Sequence, residues 1–133
     1  LDELAASAMR RVQAINGLDP TAFPSVARLE GELVAFARTM LHGDDDGDIV
    51  GTVTTGGTES CLLAVKAARD LWRAAGGEGS PRLVAPVTAH AAFQKAAHYF
   101  GLVLDLVPVD PATGAVIAER MTDRLDRDVA LVV

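Results

Sequence analysis

The chain of 133 residues has little of several residue types, and each scarcity argues against a class of protein. Cys61 is the only cysteine, so no disulfide can form within the chain, and we expect a reducing, cytoplasmic setting. Basic residues number 12 against 18 acidic ones, and the net charge of −6 argues against nucleic acid as a partner. No apolar run approaches the roughly 18–20 residues of a membrane span, so we expect no membrane partner.

Patterns of metal ligands are also scarce. The separations between His42, Cys61 and His98 match no known zinc-ligand spacing. The acidic run at 44–48 is similar to the start of a calcium loop, but its glycine is misplaced and the twelfth position is Thr55 instead of glutamate. We therefore expect a solvated acidic loop and no metal site.

Several catalytic and phosphate-binding motifs are missing as well. The chain has no G-x-G-x-x-G fingerprint, no P-loop and no order of residues that suggests a nucleophile triad. Lys66 and Lys95 are the only lysines, and both fall within predicted helices, Lys66 with Asp70 as an i, i+4 partner. Neither stands at the end of a strand, where a Schiff-base lysine would be needed.

What the chain does have is an alternation of helical and strand patterns. An N-terminal helical segment over 1–43 precedes an α/β domain over 44–133. Alternating strands and helices imply right-handed crossovers and a mostly parallel sheet with flanking helices. The patterns predict helices at 1–15, 24–40, 58–75, 90–100 and 116–125, and strands at 49–54, 82–87, 102–109 and 129–133.

A glycine pair between the predicted strand 49–54 and the predicted helix 58–75 is the strongest local signal. Gly56 and Gly57 let backbone N–H groups approach a ligand, and the positive end of the helix adds to them, so the turn favours a bound phosphate. A tight connection with no ligand, in which Thr58 caps the helix, is the alternative interpretation.

His90 is the second candidate for a site residue. It follows the predicted strand 82–87 at the start of a helix, and ligands of parallel α/β sheets gather at the carboxyl ends of strands. A histidine that only begins the helix or packs against it is the alternative interpretation.

Three ordered motifs carry a family resemblance. They are Phe23-Pro24-Ser25 with Arg28-Leu29-Glu30, the stretch 54–70 that begins Thr-Thr-Gly-Gly-Thr-Glu-Ser, and the stretch 86–101 around His90. Together they resemble the pyridoxal-5′-phosphate-dependent group II decarboxylases, most closely the sphingosine-1-phosphate lyase branch. The likeness extends over nearly everything from Asn16 to Val133.

The resemblance implies a fold, a cofactor and a reaction. It implies the aspartate-aminotransferase-like large domain (pyridoxal-phosphate fold type I). The backbone at Gly57 and Thr58 and the Thr58 hydroxyl would hold the cofactor phosphate, Gly56 would shape the turn, and His90 would stack on the pyridine ring. The parent enzyme would be a cytoplasmic homodimer that decarboxylates amino acids or cleaves a phosphorylated amine as an aldehyde-lyase, with the cofactor as electron sink.

The chain also departs from the family pattern. Asp19 stands where the lyase branch commonly has a histidine, and its charge would repel a phosphorylated substrate. The family's Schiff-base lysine, and the aspartate that faces the pyridine nitrogen, would lie beyond Val133. We therefore expect a piece of a longer protein that holds no catalytic residue and is inactive alone. A non-catalytic α/β module that binds a phosphate or a nucleotide stays open as the alternative.

Overall fold

The computed structural model describes residues 1–19, 21–43 and 49–133, which form two compact units. The first unit comprises residues 1–53 and the second comprises residues 54–133. The acidic loop predicted at 44–48 lies outside the described residues. None of the helices in the described ranges combines the length and the apolar character that a membrane span requires.

The described residues of the first unit form two helices, α1 (Asp2–Val12) and α2 (Pro24–Met40). Proline at the first position of α2 is favourable because its missing N–H has no partner there in any helix. Beyond the end of α2, His42 takes the left-handed conformation (φ 59°), and the Gly43 N–H donates to the Arg38 carbonyl at 2.8 Å. The helix thus ends in a Schellman-type turn whose left-handed position holds a histidine.

Apolar side chains that recur at helical spacing form a stripe along α2, and this stripe is largely exposed. The side chains of Leu29, Leu33, Phe36 and Met40 are 55–65% accessible, so the described residues leave most of this stripe uncovered. On its polar side, the i, i+4 pair of Arg28 and Glu32 forms as its spacing predicts, with 2.8 Å between Nε and Oε1.

The prediction of a strand at 49–54 was wrong, because these residues form no strand. The β-branched residues favour extended backbone, but a strand also needs the backbone of a neighbour. Here a side chain takes that place, since the Glu30 carboxylate accepts from the Val53 N–H and the Thr52 hydroxyl, each at 2.8 Å. Hydrogen bonds from Val53 and then Thr52 lower the pKa of Glu30.

The second unit is an α/β layer around a three-stranded sheet. Its elements are α3 (Gly57–Ala74), β1 (Arg82–Pro86), α4 (Ala91–Phe100), β2 (Val103–Val107), α5 (Ala118–Thr122) and β3 (Val129–Val132). The strands lie in the order β2-β1-β3 and all are parallel, which confirms the predicted fold class.

Both faces of this sheet carry an apolar layer. On one face, Val65 of α3 and Leu83 of β1 are fully buried together with Ala96 and Ala97 of α4. The alanines are small, so α3 and α4 can approach each other closely over the sheet. On the other face, Val84, Val107 and Met121 form a second cluster with α5.

Two hydrogen bonds fix the direction of α3 along the sheet. The Trp72 indole N–H donates to the Arg127 carbonyl at 2.7 Å, and Arg69 donates to the Phe100 carbonyl at 3.3 Å. Arg127 lies two residues before the start of β3, and Phe100 ends α4 just before β2 begins. The C-terminal half of α3 therefore lies at the amino edge of the sheet, and the N-terminus of α3 points to the carboxyl edge.

Candidate functional site

The turn that precedes α3 is open in front of its two glycines. Gly56 has extended backbone (φ 163°, ψ 175°), which any residue can adopt, and Gly57 is the first helical residue. A Cβ built on either glycine meets no atom of the described residues within 4 Å. What these positions contribute is therefore the absence of a side chain, which leaves space for a ligand directly against the backbone.

The backbone N–H donors at the start of α3 favour an anion as the ligand of this turn. The first N–H with a partner is that of Ser60, which donates to the Gly56 carbonyl at 3.1 Å. Within the described ranges, the N–H groups of Gly57, Thr58 and Glu59 have no acceptor, and the Thr58 hydroxyl has no partner. Three adjacent donors at the positive end of a helix favour an anion such as phosphate. The predicted helix cap at Thr58 was wrong, because Gly56 is the N-cap residue.

Side chains brace this turn from both ends. The Glu59 Oε2 accepts from the Thr55 N–H at 2.6 Å and from the Thr55 hydroxyl at 2.7 Å. The hydroxyls of Thr54 and Ser60 lie 2.7 Å apart, and that of Thr54 also donates to the Gly56 carbonyl at 3.0 Å. Hydrogen bonds from Thr55, first from its hydroxyl and then from its backbone, lower the pKa of Glu59.

His90 is an exposed residue at the start of α4. Its Nδ1 accepts from the Ala92 N–H at 3.1 Å, so His90 is the N-cap of that helix, at the helix start where the sequence placed it. An accepting Nδ1 carries no proton, so in the neutral ring the proton lies on Nε2. The cap also restricts the orientation of the imidazole ring.

The turn and His90 lie at the same edge of the sheet. His90 follows the carboxyl end of β1, and the direction of α3 brings Gly57 to that edge as well. Because α3 and α4 pack against each other and Arg69 of α3 bonds to the C-terminal Phe100 of α4, both helices begin toward this edge. Ligands of parallel α/β sheets bind at this edge.

The other residues considered from the sequence lie elsewhere. Lys66 pairs with Asp70 at 2.8 Å, which confirms the predicted helix pair, and Lys95 lies over the Tyr99 ring at 5.3 Å from its centroid. Cys61 is half-buried with a free thiol. Among the residues that the structure describes, no three His, Cys, Asp or Glu side chains lie close enough together to hold a metal ion.

No family model matches this chain, but curated relatives do. The sphingosine-1-phosphate lyase of Drosophila melanogaster is 38% identical over all 133 residues, which span 24% of that protein. That of Saccharomyces cerevisiae is also 38% identical over the whole chain, which spans 22% of it. Sphingosine-1-phosphate lyase 1 of Rattus norvegicus is 46% identical over 102 residues, 77% of the chain and 17% of the relative. The chain thus spans less than a quarter of the length of these relatives.

Solved structures agree with these relatives. The sphingosine-1-phosphate lyase of Burkholderia pseudomallei is 39% identical, with a TM-score of 0.79 over 89% of this chain and 28% of that one. The glutamate decarboxylase of Lactobacillus brevis gives a TM-score of 0.86 over 96% of this chain and 31% of its own, but at 23% identity it supports the fold alone. Because these relatives are enzymes, the alternative of a non-catalytic binding module is not favoured.

Proposed function

We propose that this chain, which is 38% identical over its whole length to two sphingosine-1-phosphate lyases, forms the cofactor-phosphate part of the site of a pyridoxal-phosphate-dependent lyase. The observation that carries the proposal is the set of donors without partners at the start of α3, beside two glycines with open space in front of them. The sequence resemblance and this geometry agree on the same turn.

The groups at the turn suit a phosphate ester. The N–H groups of Gly57 and Thr58 and the Thr58 hydroxyl are neutral donors, and a phosphate oxygen can accept from each of them. Hydrogen bonds to a charged group contribute roughly 1.5–3 kcal/mol each, so two or three of them hold the phosphate firmly. Gly56 and Gly57 present no Cβ that would obstruct the approach of the phosphate to the backbone.

His90 would hold the ring of the cofactor. The hydrogen bond from the Ala92 N–H limits rotation of its imidazole, so the flat ring is ready to stack on a pyridine ring. The cofactor, when bound, supplies an electron sink for the charge left when a bond at the substrate Cα breaks. His90 and the turn would orient that ring and keep it in place.

Two substrate classes stay within the proposed function, an amino acid that loses carboxylate and a phosphorylated amine that is cleaved to an aldehyde. Asp19 bears on the choice, because its Oδ1 accepts from the Thr21 hydroxyl at 2.6 Å and from the Thr21 N–H at 2.9 Å. These bonds lower the pKa of Asp19, so it stays a carboxylate. The resemblance implies that this position helps to seat the substrate, and a fixed negative charge there would favour the amino acid over the phosphorylated amine.

The protein is also proposed to act as a cytoplasmic homodimer. The resemblance supports the dimer, and the single cysteine is consistent with a reducing compartment. Sedimentation equilibrium of the complete protein tests the dimer, and a monomer at micromolar concentration would contradict it.

The test compares pyridoxine 5′-phosphate with pyridoxine by calorimetry. Neither molecule has an aldehyde, so neither reacts with Lys66, Lys95 or the chain terminus, and the two differ only in the phosphate. We expect the phosphate ester to bind at least tenfold more tightly and inorganic phosphate to compete with it. Equal affinity for the two would contradict the proposal, and tighter binding of ATP would favour the nucleotide-binding module.

A further inference from the structure

We propose that Glu59 is a positioning residue that holds the phosphate turn in its binding conformation, an inference that depends on the proposed function of this turn. Glu59 is the third residue of α3, and its Oε2 receives both the N–H and the hydroxyl of Thr55. The carboxylate thus ties the helix back to the residue that directly precedes the glycine pair.

The hydrogen bonds between Glu59 and Thr55 matter because the two glycines of the turn lie between these residues. Gly56 and Gly57 have no side chains to limit their backbone, and glycine has more conformational freedom than any other residue. The bonds between Glu59 and Thr55 close a short ring around them, so both glycines are held from both sides. The donors of Gly57 and Thr58 then need no reordering when a phosphate arrives, which favours binding.

The same bonds keep the Thr55 groups occupied. Because the Thr55 N–H and hydroxyl already have an acceptor, they do not compete with the donors of Gly57 and Thr58 for the phosphate. This role opposes the effect of the charge itself, since a carboxylate in the first turn repels a nearby phosphate. Removal of Glu59 therefore has opposite effects under the two explanations, weaker binding if it positions the turn and tighter binding if only its charge matters.

The experiment measures the affinity of the full chain for pyridoxine 5′-phosphate and for pyridoxine. We expect Glu59→Ala to weaken binding of the phosphate ester about tenfold and to leave binding of pyridoxine unchanged. Glu59→Gln keeps an acceptor for Thr55 without the charge, so its affinity should stay within about threefold of the wild type. The matched control is Glu119→Ala, which removes an exposed acid from the first turn of α5 and should change neither affinity.

A double-mutant cycle with Thr55→Ala checks that Glu59 acts through Thr55. If it does, the double variant should bind no more weakly than Glu59→Ala alone. Circular dichroism and thermal unfolding establish whether each variant is folded. If Glu59→Ala does not fold, Glu59→Gln is compared with the wild type instead.

The outcomes separate the two proposals. Equal affinity of the wild-type chain for pyridoxine 5′-phosphate and for pyridoxine would overturn the proposed function and, with it, the role of Glu59. A wild-type chain that prefers the phosphate ester, with Glu59→Ala equal to it or tighter, would overturn the role of Glu59 alone. The role of Glu59 would also be overturned if Glu59→Gln bound the phosphate ester as weakly as Glu59→Ala, because the acceptor would then not restore the turn.

Discussion

Replacing Gly57 by alanine should weaken phosphate binding without harm to the fold. Among residues 1–19, 21–43 and 49–133, the added Cβ meets no atom within 4 Å, so none of these residues has to move. Alanine is also the better helix former, by about 0.8–1.0 kcal/mol in a helix interior and less at the first position. The free energy of unfolding should therefore stay constant or rise by a few tenths of a kcal/mol.

The loss in binding follows from the same open space. In the proposed site the phosphate lies against the backbone at Gly57, and a methyl group there holds it away from the N–H donors. Loss of one such bond to a charged group costs about 1.5–3 kcal/mol, which is roughly a 10- to 150-fold lower affinity. Calorimetry with pyridoxine 5′-phosphate gives the affinity, and thermal unfolding gives the stability.

Gly31→Ala is the matched control. Gly31 lies inside α2, and a Cβ there also meets nothing within 4 Å. This variant should gain up to about 1 kcal/mol of stability and bind the phosphate ester as the wild type does. The reasoning would be refuted if Gly57→Ala bound normally, or if both alanine variants lost affinity equally.

Three further predictions concern the phosphate turn, the C-terminal end of α2 and the stability of the fold at low pH. Thr58→Val should bind pyridoxine 5′-phosphate about tenfold more weakly, while Thr58→Ser, which keeps the hydroxyl, should bind normally; equal loss in both would contradict this. His42→Gly should raise stability by up to about 1 kcal/mol, because His42 has φ 59°, and a lower melting temperature would contradict this. Because folding lowers the pKa of Glu30 and Glu59, their contribution to stability is complete above the unfolded value of about 4.3 and is lost as the pH falls below it. The urea midpoint of unfolding should therefore decrease as the pH falls below about 4, and it should decrease less steeply in Glu30→Gln and in Glu59→Gln. A midpoint that rises below pH 4 would contradict the direction of these pKa shifts.

Much of the fold was predictable because hydrophobic periodicity reports directly on burial. The spacing of Ala96 and Ala97 with Phe93 and Phe100 predicted the inner face of α4, and these residues do pack in the core. The stretch 49–54 shows the limit of such reasoning. Composition indicates extended backbone there, but it cannot say whether a strand or a side chain such as Glu30 takes the hydrogen bonds.

The sequence suggested candidate residues for the site, but it did not reveal the hydrogen bonds that support the turn. Gly56, Gly57 and His90 could be named because each follows a predicted strand. The brace between Glu59 and Thr55 was missed, because Thr55 precedes the N-cap and the pair does not have the spacing of a capping box. A signal was nonetheless present, a threonine four residues before a glutamate across the start of a helix.

The direction of α3 could not be predicted from local sequence either. It depends on the bond from Trp72 to Arg127, two residues 55 positions apart in the chain. Packing also requires a small residue beside that tryptophan, since a Cβ on Gly77 would come within 2.3 Å of the indole ring. Such distant contacts are decided by the whole sheet and not by any one segment.

The most direct test of the central claim is an amide NMR titration of the chain with pyridoxine 5′-phosphate. Hydrogen bonds to a phosphate move the resonances of the donating N–H groups. The proposed site predicts that the largest shifts fall on the amides of Gly57, Thr58 and Glu59 and that pyridoxine does not produce them. Largest shifts at any other helix start, or none at these three amides at saturation, would contradict the claim that this turn holds the phosphate.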